Sequence, residues 1–225
     1  MPDNSRAGGS LAASSVVRAH RGVLAAVWRG EPGQAMGWAA HRRFWLWVFG
    51  VNAVVGALAW TTVLPLVSRT SSMVGRAVLG LDGSVSRPQV SWSQLVLVGV
   101  AGLVVTFVVQ VLRVVAVRLT FAVREVPVRL AHATLPVATG ATVLSVVYLV
   151  AFVVGLVPVG SPWFVVAAAA LAAVPALTAE TLVFVAVERT VPTPKSLLVP
   201  HATLTVAWAV AAGLITALAV YLAPV

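Results

Sequence analysis

The sequence predicts an all-α protein, a polytopic integral membrane helical bundle of five transmembrane helices. Three observations carry that prediction. Hydrophobic residues make up 60% of the chain and charged residues 9%, against roughly 45–50% and 25% in soluble domains, so a water-facing surface could not be built from it. The apolar residues form continuous Ala/Val/Leu-rich runs of 19 to 24 residues, the length a helix rising ~1.5 Å per residue needs to cross a ~30 Å hydrocarbon core. A membrane barrel would show alternating segments of about ten residues instead. The basic residues, finally, lie in the N-terminal tail, at the ends of the runs and in the connections between them, where the positive-inside effect places them.

Residues 1–43 read as a cytoplasmic tail and 44–225 as the transmembrane domain. Residues 1–14 are small and polar, with too little apolar surface to offset the entropy of ordering, and are expected to be disordered. Over 15–29, Val16, Val17, Val23, Leu24, Val27 and Trp28 fall mostly at helical spacing, while Arg18, His20, Arg21 and Arg29 form a basic side. This predicts a short interfacial helix lying on anionic lipid headgroups; a solvated basic tail is the alternative. Gly30-Glu31-Pro32-Gly33 breaks the element. Trp38, Trp45 and Trp47 beside Arg42 and Arg43 then form an interfacial anchor.

The five spans are expected at 44–67, 94–112, 135–157, 164–187 and 202–222. A connection rich in Ser, Gly and Arg, 68–92, separates the first two. The second continues as helix past Arg113, which can extend its guanidinium toward the headgroups. The link 158–163 is short enough for a tight hairpin only. With the N-terminus inside, twelve Lys/Arg fall on the cytoplasmic side and three outside, which predicts a cytoplasmic N-terminus and an external C-terminus. The first span lies behind a long polar tail and is expected to act as an uncleaved membrane signal. Fourteen of the fifteen basic residues are Arg, a skew that with the Ala/Val/Gly richness suggests a GC-rich bacterial genome and thus a bacterial cytoplasmic membrane.

Ionisable groups inside a span are costly, roughly 2.5–3.5 kcal/mol at a helix centre, and so face protein or water. Glu180 is the one carboxylate within a span. Arg113 and Gln110 lie at comparable depth on the second helix, so a Glu180–Arg113 pair or a Glu180–Gln110 hydrogen bond is expected to accommodate the acid. The functional alternative makes Glu180 a proton or cation site with His132 and His201 as relays. Ala168, Ala172 and Ala176 recur every four residues on the fourth helix, and Thr205, Ala209, Gly213 and Ala217 on the fifth. Such stripes let backbones approach, either within the hairpin of helices four and five or across a homodimer face. Pro175 is expected to kink the fourth helix.

No catalytic, cofactor-binding or metal-ligating residues are assigned. HExxH, GxSxG, P-loop and GxGxxG motifs are absent, and the four His and six acids are scattered. Cysteine is absent, which excludes disulfides and thiol chemistry. The net charge of +9 is spread over helix ends rather than gathered into a phosphate-binding patch, so nucleic acid is not an expected partner. The lipid bilayer, anionic headgroups through the N-terminal Arg residues, a second copy and other membrane proteins are.

Five spans, a cytoplasmic tail, a basic junction before the third helix and an Ala-x-x-x-Leu-Pro opening (Ala131 to Pro136) together resemble the Yip1-type membrane domain over residues 40–222. The resemblance implies a five-span helical fold, and eukaryotic members of that family are associated with membrane trafficking. It transfers no site residues. The expected function is that of a non-enzymatic interaction or accessory component of a membrane assembly; the alternative is a small transporter or channel subunit built around Glu180.

Overall fold

The computed structural model describes residues 5–41, 43–79, 91–156, 162–190 and 195–222, without the side chains of 5–14, 63–79, 131, 162–166 and 168–172. Among the described residues the chain is all-helical, with seven helices in the order α1 (Ser5–Trp28), α2 (Pro32–Ala39), α3 (Phe44–Leu79), α4 (Trp92–Val123), α5 (Leu130–Leu156), α6 (Pro162–Thr190) and α7 (Leu198–Leu222). Four stretches among the described residues are long and apolar enough to cross a membrane: Phe44–Thr62, Trp92–Val123, His132–Leu156 and Leu198–Leu222. The segment expected to be a further span, 164–187, is helical within α6, although most side chains of its first half lie outside the described residues.

Local signals set the helix ends. α1 stops in a Schellman motif: Gly30, at φ +71°, donates its N–H to Val27 O at 3.0 Å, and Glu31 donates to Ala26 O at 2.8 Å. Glycine occupies this left-handed position without a Cβ clash. Pro32 opens α2 at a position where its missing N–H costs no hydrogen bond. Ser91 caps α4 in a capping box, its hydroxyl accepting from the Gln94 backbone while its own N–H donates to Gln94 Oε1 at 2.8 Å. α4 ends in a second Schellman turn, with Glu125 donating to Ala122 O at 2.9 Å and Val126 to Phe121 O at 3.0 Å.

Three expectations about the N-terminal part of the chain are corrected. Residues 5–14, expected to be disordered, are helical in α1; Ala7, Leu11, Ala12 and Ala13 are good helix formers, and a helix already nucleated extends at little cost. α1 also does more than lie on a lipid surface. Ala19, Val23 and Ala26 are buried with Ala35 and Ala39 of α2 against Phe44, Val48, Phe121, Val137 and Val187, closing one end of the bundle, while Arg18, Arg21 and Arg29 stay exposed. The connection expected at 68–92 is helical as far as Leu79, since 68–79 holds no proline to stop α3.

α3 and α5 form the centre, packing on each other, with α4 against α3 and α6 against α5. Close approach comes from glycines outside the predicted stripes. A Cβ on Gly102 of α4 would stand 2.6 Å from the Trp60 ring of α3, and one on Gly140 of α5 would stand 2.9 Å from the Ala179 backbone oxygen of α6. α7, expected to pack on α6, packs on α4 instead. The preceding segment explains why. Arg124 Nε donates to Ser196 O and Lys195 Nζ to Arg124 O, both at 3.0 Å, which pins the start of α7 beside the end of α4.

Gly140→Ala is therefore expected to destabilise the folded chain by about 1–3 kcal/mol, because a backbone oxygen cannot yield as a side chain can. Gly213→Ala, with nothing within 4 Å of its Cβ, should be neutral or stabilising by up to about 1 kcal/mol through helix propensity. Thermal denaturation in detergent reads both. His20 provides a pH test. Its ring lies 6.4 Å from Phe44, its buried Nδ1 lacks a hydrogen-bond partner, and burial lowers its pKa from 6.5. Undocked α1 therefore binds a proton more readily than docked α1, so docking is fully present above about pH 6.5 and weakens as the pH falls below it. Amide exchange in α1 should rise between pH 7.5 and 5.5, and His20→Phe should abolish that rise.

Candidate functional site: a buried polar junction

α4 turns Thr106, Gln110 and Arg113 toward its neighbours at helical spacing, and all three are buried. Arg113 is 3% exposed, and a planar guanidinium can serve several partners at once. It forms an ion pair with Glu180 of α6 and donates to Thr205 Oγ1 of α7 at 3.0 Å. It also lies 4.8 Å from the centroid of the Trp208 ring. Trp208 in turn donates Nε1–H to the Val109 carbonyl at 2.9 Å. One arginine thus joins three helices.

A second polar group lies between α3, α4 and α5. Asn52, fully buried, donates from Nδ2 to Ala141 O at 2.8 Å and reaches Gln110 Oε1 at 3.5 Å. Gln110 Nε2 donates to Thr106 O at 3.2 Å. Three buried atoms near these groups have no hydrogen-bond partner among the described residues: Asn52 Oδ1, Arg113 Nε and His201 Nδ1. Such atoms carry a cost of about 1–3 kcal/mol each.

The structure brings together Arg113 and Glu180, the first of the two expected pairings. Gln110 is engaged with Asn52 rather than with Glu180. His201 is buried one helical turn before Thr205, its ring 5.2 Å from that of Phe184 on α6. His132 is exposed in the first turn of α5, and among the described residues no side-chain bond joins it to the junction. The side chains of Ala168 and Ala172 lie outside the described residues, and Ala176 is half-buried. Thr205, the first residue of that stripe, meets Arg113 of α4; each four-residue step turns the stripe by ~40°, and Ala209, Gly213 and Ala217 are exposed. Among the described residues no cluster of His, Cys, Asp or Glu could hold a metal ion.

Sequence reasoning missed Asn52 and Trp208. Asn52 was visible as a lone amide in an apolar run, but its receptor is a backbone carbonyl and leaves no sequence signal. Trp208 sits mid-helix rather than at a membrane boundary, which points to an interior partner.

Removing Glu180 leaves Arg113, 4% exposed, buried and uncompensated, a loss of about 3–5 kcal/mol, while removing Arg113 strands the half-buried Glu180 carboxylate without its countercharge. Glu180→Gln and Arg113→Gln are each expected to destabilise strongly. The double variant should be more stable than the sum of the two effects predicts, by a coupling of about 1–3 kcal/mol measured in a thermal-denaturation cycle. Comparison with protein-family models, with curated proteins and with solved structures finds no match to this chain.

Proposed function

We propose that this is a five-span protein of a bacterial cytoplasmic membrane, its N-terminus cytoplasmic and its C-terminus outside, acting without catalysis as an interaction or accessory component of a membrane assembly. α6, 29 residues long, supplies the fourth span in chain order and completes the five. The Yip1-like reading of the sequence is part of the same proposal.

The observation that carries it is the attachment of α7. One side is held to α4 through Thr205 and Trp208. The other carries Val206, Val210 and Leu214, exposed to 64%, 57% and 67%, beside the small residues Ala209, Gly213 and Ala217. Between helices in lipid, small residues allow close approach and packing supplies the affinity. This face suits a partner helix, from another membrane protein or a second copy. The exposed Arg18, Arg21 and Arg29 face the anionic headgroups.

A second reading has its own observation. The side chain of Glu180 is 30% exposed, while that of Arg113 is 4% exposed, so the carboxylate keeps an open edge that a proton or cation could reach in a transporter or channel subunit.

The chain has no cysteine, which makes single-site cross-linking specific. Gly213→Cys, cross-linked in native membranes and purified in mild detergent, is expected to capture a partner chain at defined stoichiometry by mass spectrometry. Ala141→Cys, at a position only 2% exposed in α5, should capture none. A chain recovered alone, together with an ion flux lost in Glu180→Gln, would replace this reading with the second.

A further inference from the structure

The turn between α4 and α5 forms a groove of about 620 Å³ lined by Arg118, Ala122, Val126, Pro127, Val128 and Arg129, within the usual range for small-ligand sites. Arg118 and Arg129 are exposed, and among the described residues no hydrogen bond or ion pair engages either guanidinium. The one acid at the rim, Glu125, is offset by Lys195, whose Nζ lies 3.4 Å from Glu125 Oε2. Two free guanidiniums over an apolar floor match an anionic phosphate.

The surroundings indicate which phosphate. Val111, Val115, Arg118 and Ala122 share one face of α4, at spacings of four, three and four residues. Val111 and Val115 are exposed to 42% and 45%, so an uncovered apolar ridge runs along α4 straight into the groove. Arg118 stands five residues, ~7.5 Å, beyond Arg113, at the level where α4 would leave the hydrocarbon, and Arg129 immediately precedes α5. We propose that this groove binds the phosphate headgroup of an anionic phospholipid, with the acyl chains lying along the Val111–Val115 face of α4. The site is separate from the N-terminal arginines and depends on the membrane reading only in that α4 and α5 cross a bilayer.

The test is lipid retention by the full chain in mixed micelles, read by native mass spectrometry with phosphatidylglycerol, phosphatidylcholine and free glycerol 3-phosphate as probes. Phosphatidylglycerol should be retained at one per chain and phosphatidylcholine released. Each of Arg118→Gln and Arg129→Gln should weaken retention about fivefold, the effect of one basic residue at an anionic surface. Arg118→Lys with Arg129→Lys should keep most of it, and Arg18→Gln with Arg21→Gln should change it less than twofold. Wild-type retention in the Arg118→Gln/Arg129→Gln variant would overturn the proposal. So would equal retention of phosphatidylcholine, an equal loss in the N-terminal variant, or displacement of the lipid by glycerol 3-phosphate at matching concentration, which would make a free phosphate ester the ligand. Resistance of the chain to extraction by alkaline carbonate is scored separately, so failure of the membrane reading and failure of the groove are distinguishable.

Discussion

The arrangement of the outer helices depends on one buried guanidinium. Arg113 sits on a helix apolar enough to cross a bilayer, where its charge cannot be neutralised and must be matched. Glu180 supplies the countercharge, Thr205 an acceptor and Trp208 an aromatic face. Each comes from the side of α4 where α6 and α7 stand. A lysine would present a compact ammonium to the same space and could not both fork between two oxygens and stack on a ring. The pair therefore fixes geometry as well as charge: it sets how α6 and α7 are placed about α4 in a surrounding that offers no hydrophobic drive to bring helices together.

The inner contacts follow the same logic with weaker groups. Between α3 and α4, Gly102 accepts the face of Trp60, and between α5 and α6, Gly140 lets the Ala179 backbone oxygen come close. Asn52 bridges α3 to a backbone carbonyl of α5 at 2.8 Å. Thr120, Thr139 and Thr142 return their hydroxyls to the carbonyl four residues earlier in their own helices, so they pack as small side chains without needing a partner across the interface. Polar satisfaction is thus largely local, with Asn52, Arg113 and Trp208 among the residues that carry it between helices.

The sequence made the helices and the central pair legible, for physical reasons. Span length and composition answer to bilayer thickness, and Gly30 and Pro32 mark a break by backbone sterics alone. Arg113 and Glu180 could be matched by counting residues from the helix ends, because depth along a helix is linear in sequence. Lateral placement has no such ruler. That α7 lies on α4 rests on Thr205 and Trp208 and on a clasp of Lys195, Arg124 and Ser196, in which several acceptors are backbone carbonyls invisible in a sequence. The alternation of Ala209, Gly213 and Ala217 signalled a face suited to close packing but not whether this chain covers it. The packing of α1 was not legible for a related reason: an amphipathic stripe has the same pattern whether it meets lipid or the end of its own bundle.

That last ambiguity bears on how the basic end of the molecule works. The apolar cluster that receives α1 also includes Phe121 and Val117 of α4, and Val126 and Val128 of the following turn pack against it. Val126 and Val128 also line the groove beneath Arg118 and Arg129. One side of that turn therefore supports the N-terminal cap while the other faces outward, and its path is fixed by a Schellman turn in which Glu125 holds φ +58°. Protein interiors transmit displacement because they are close-packed. A ligand that moves the turn must then alter the seat of α1, and a change in α1 docking must alter the groove by the same coupling free energy. The N-terminal segment is thus a structural part of the bundle, seated on the same turn that lines the groove between α4 and α5.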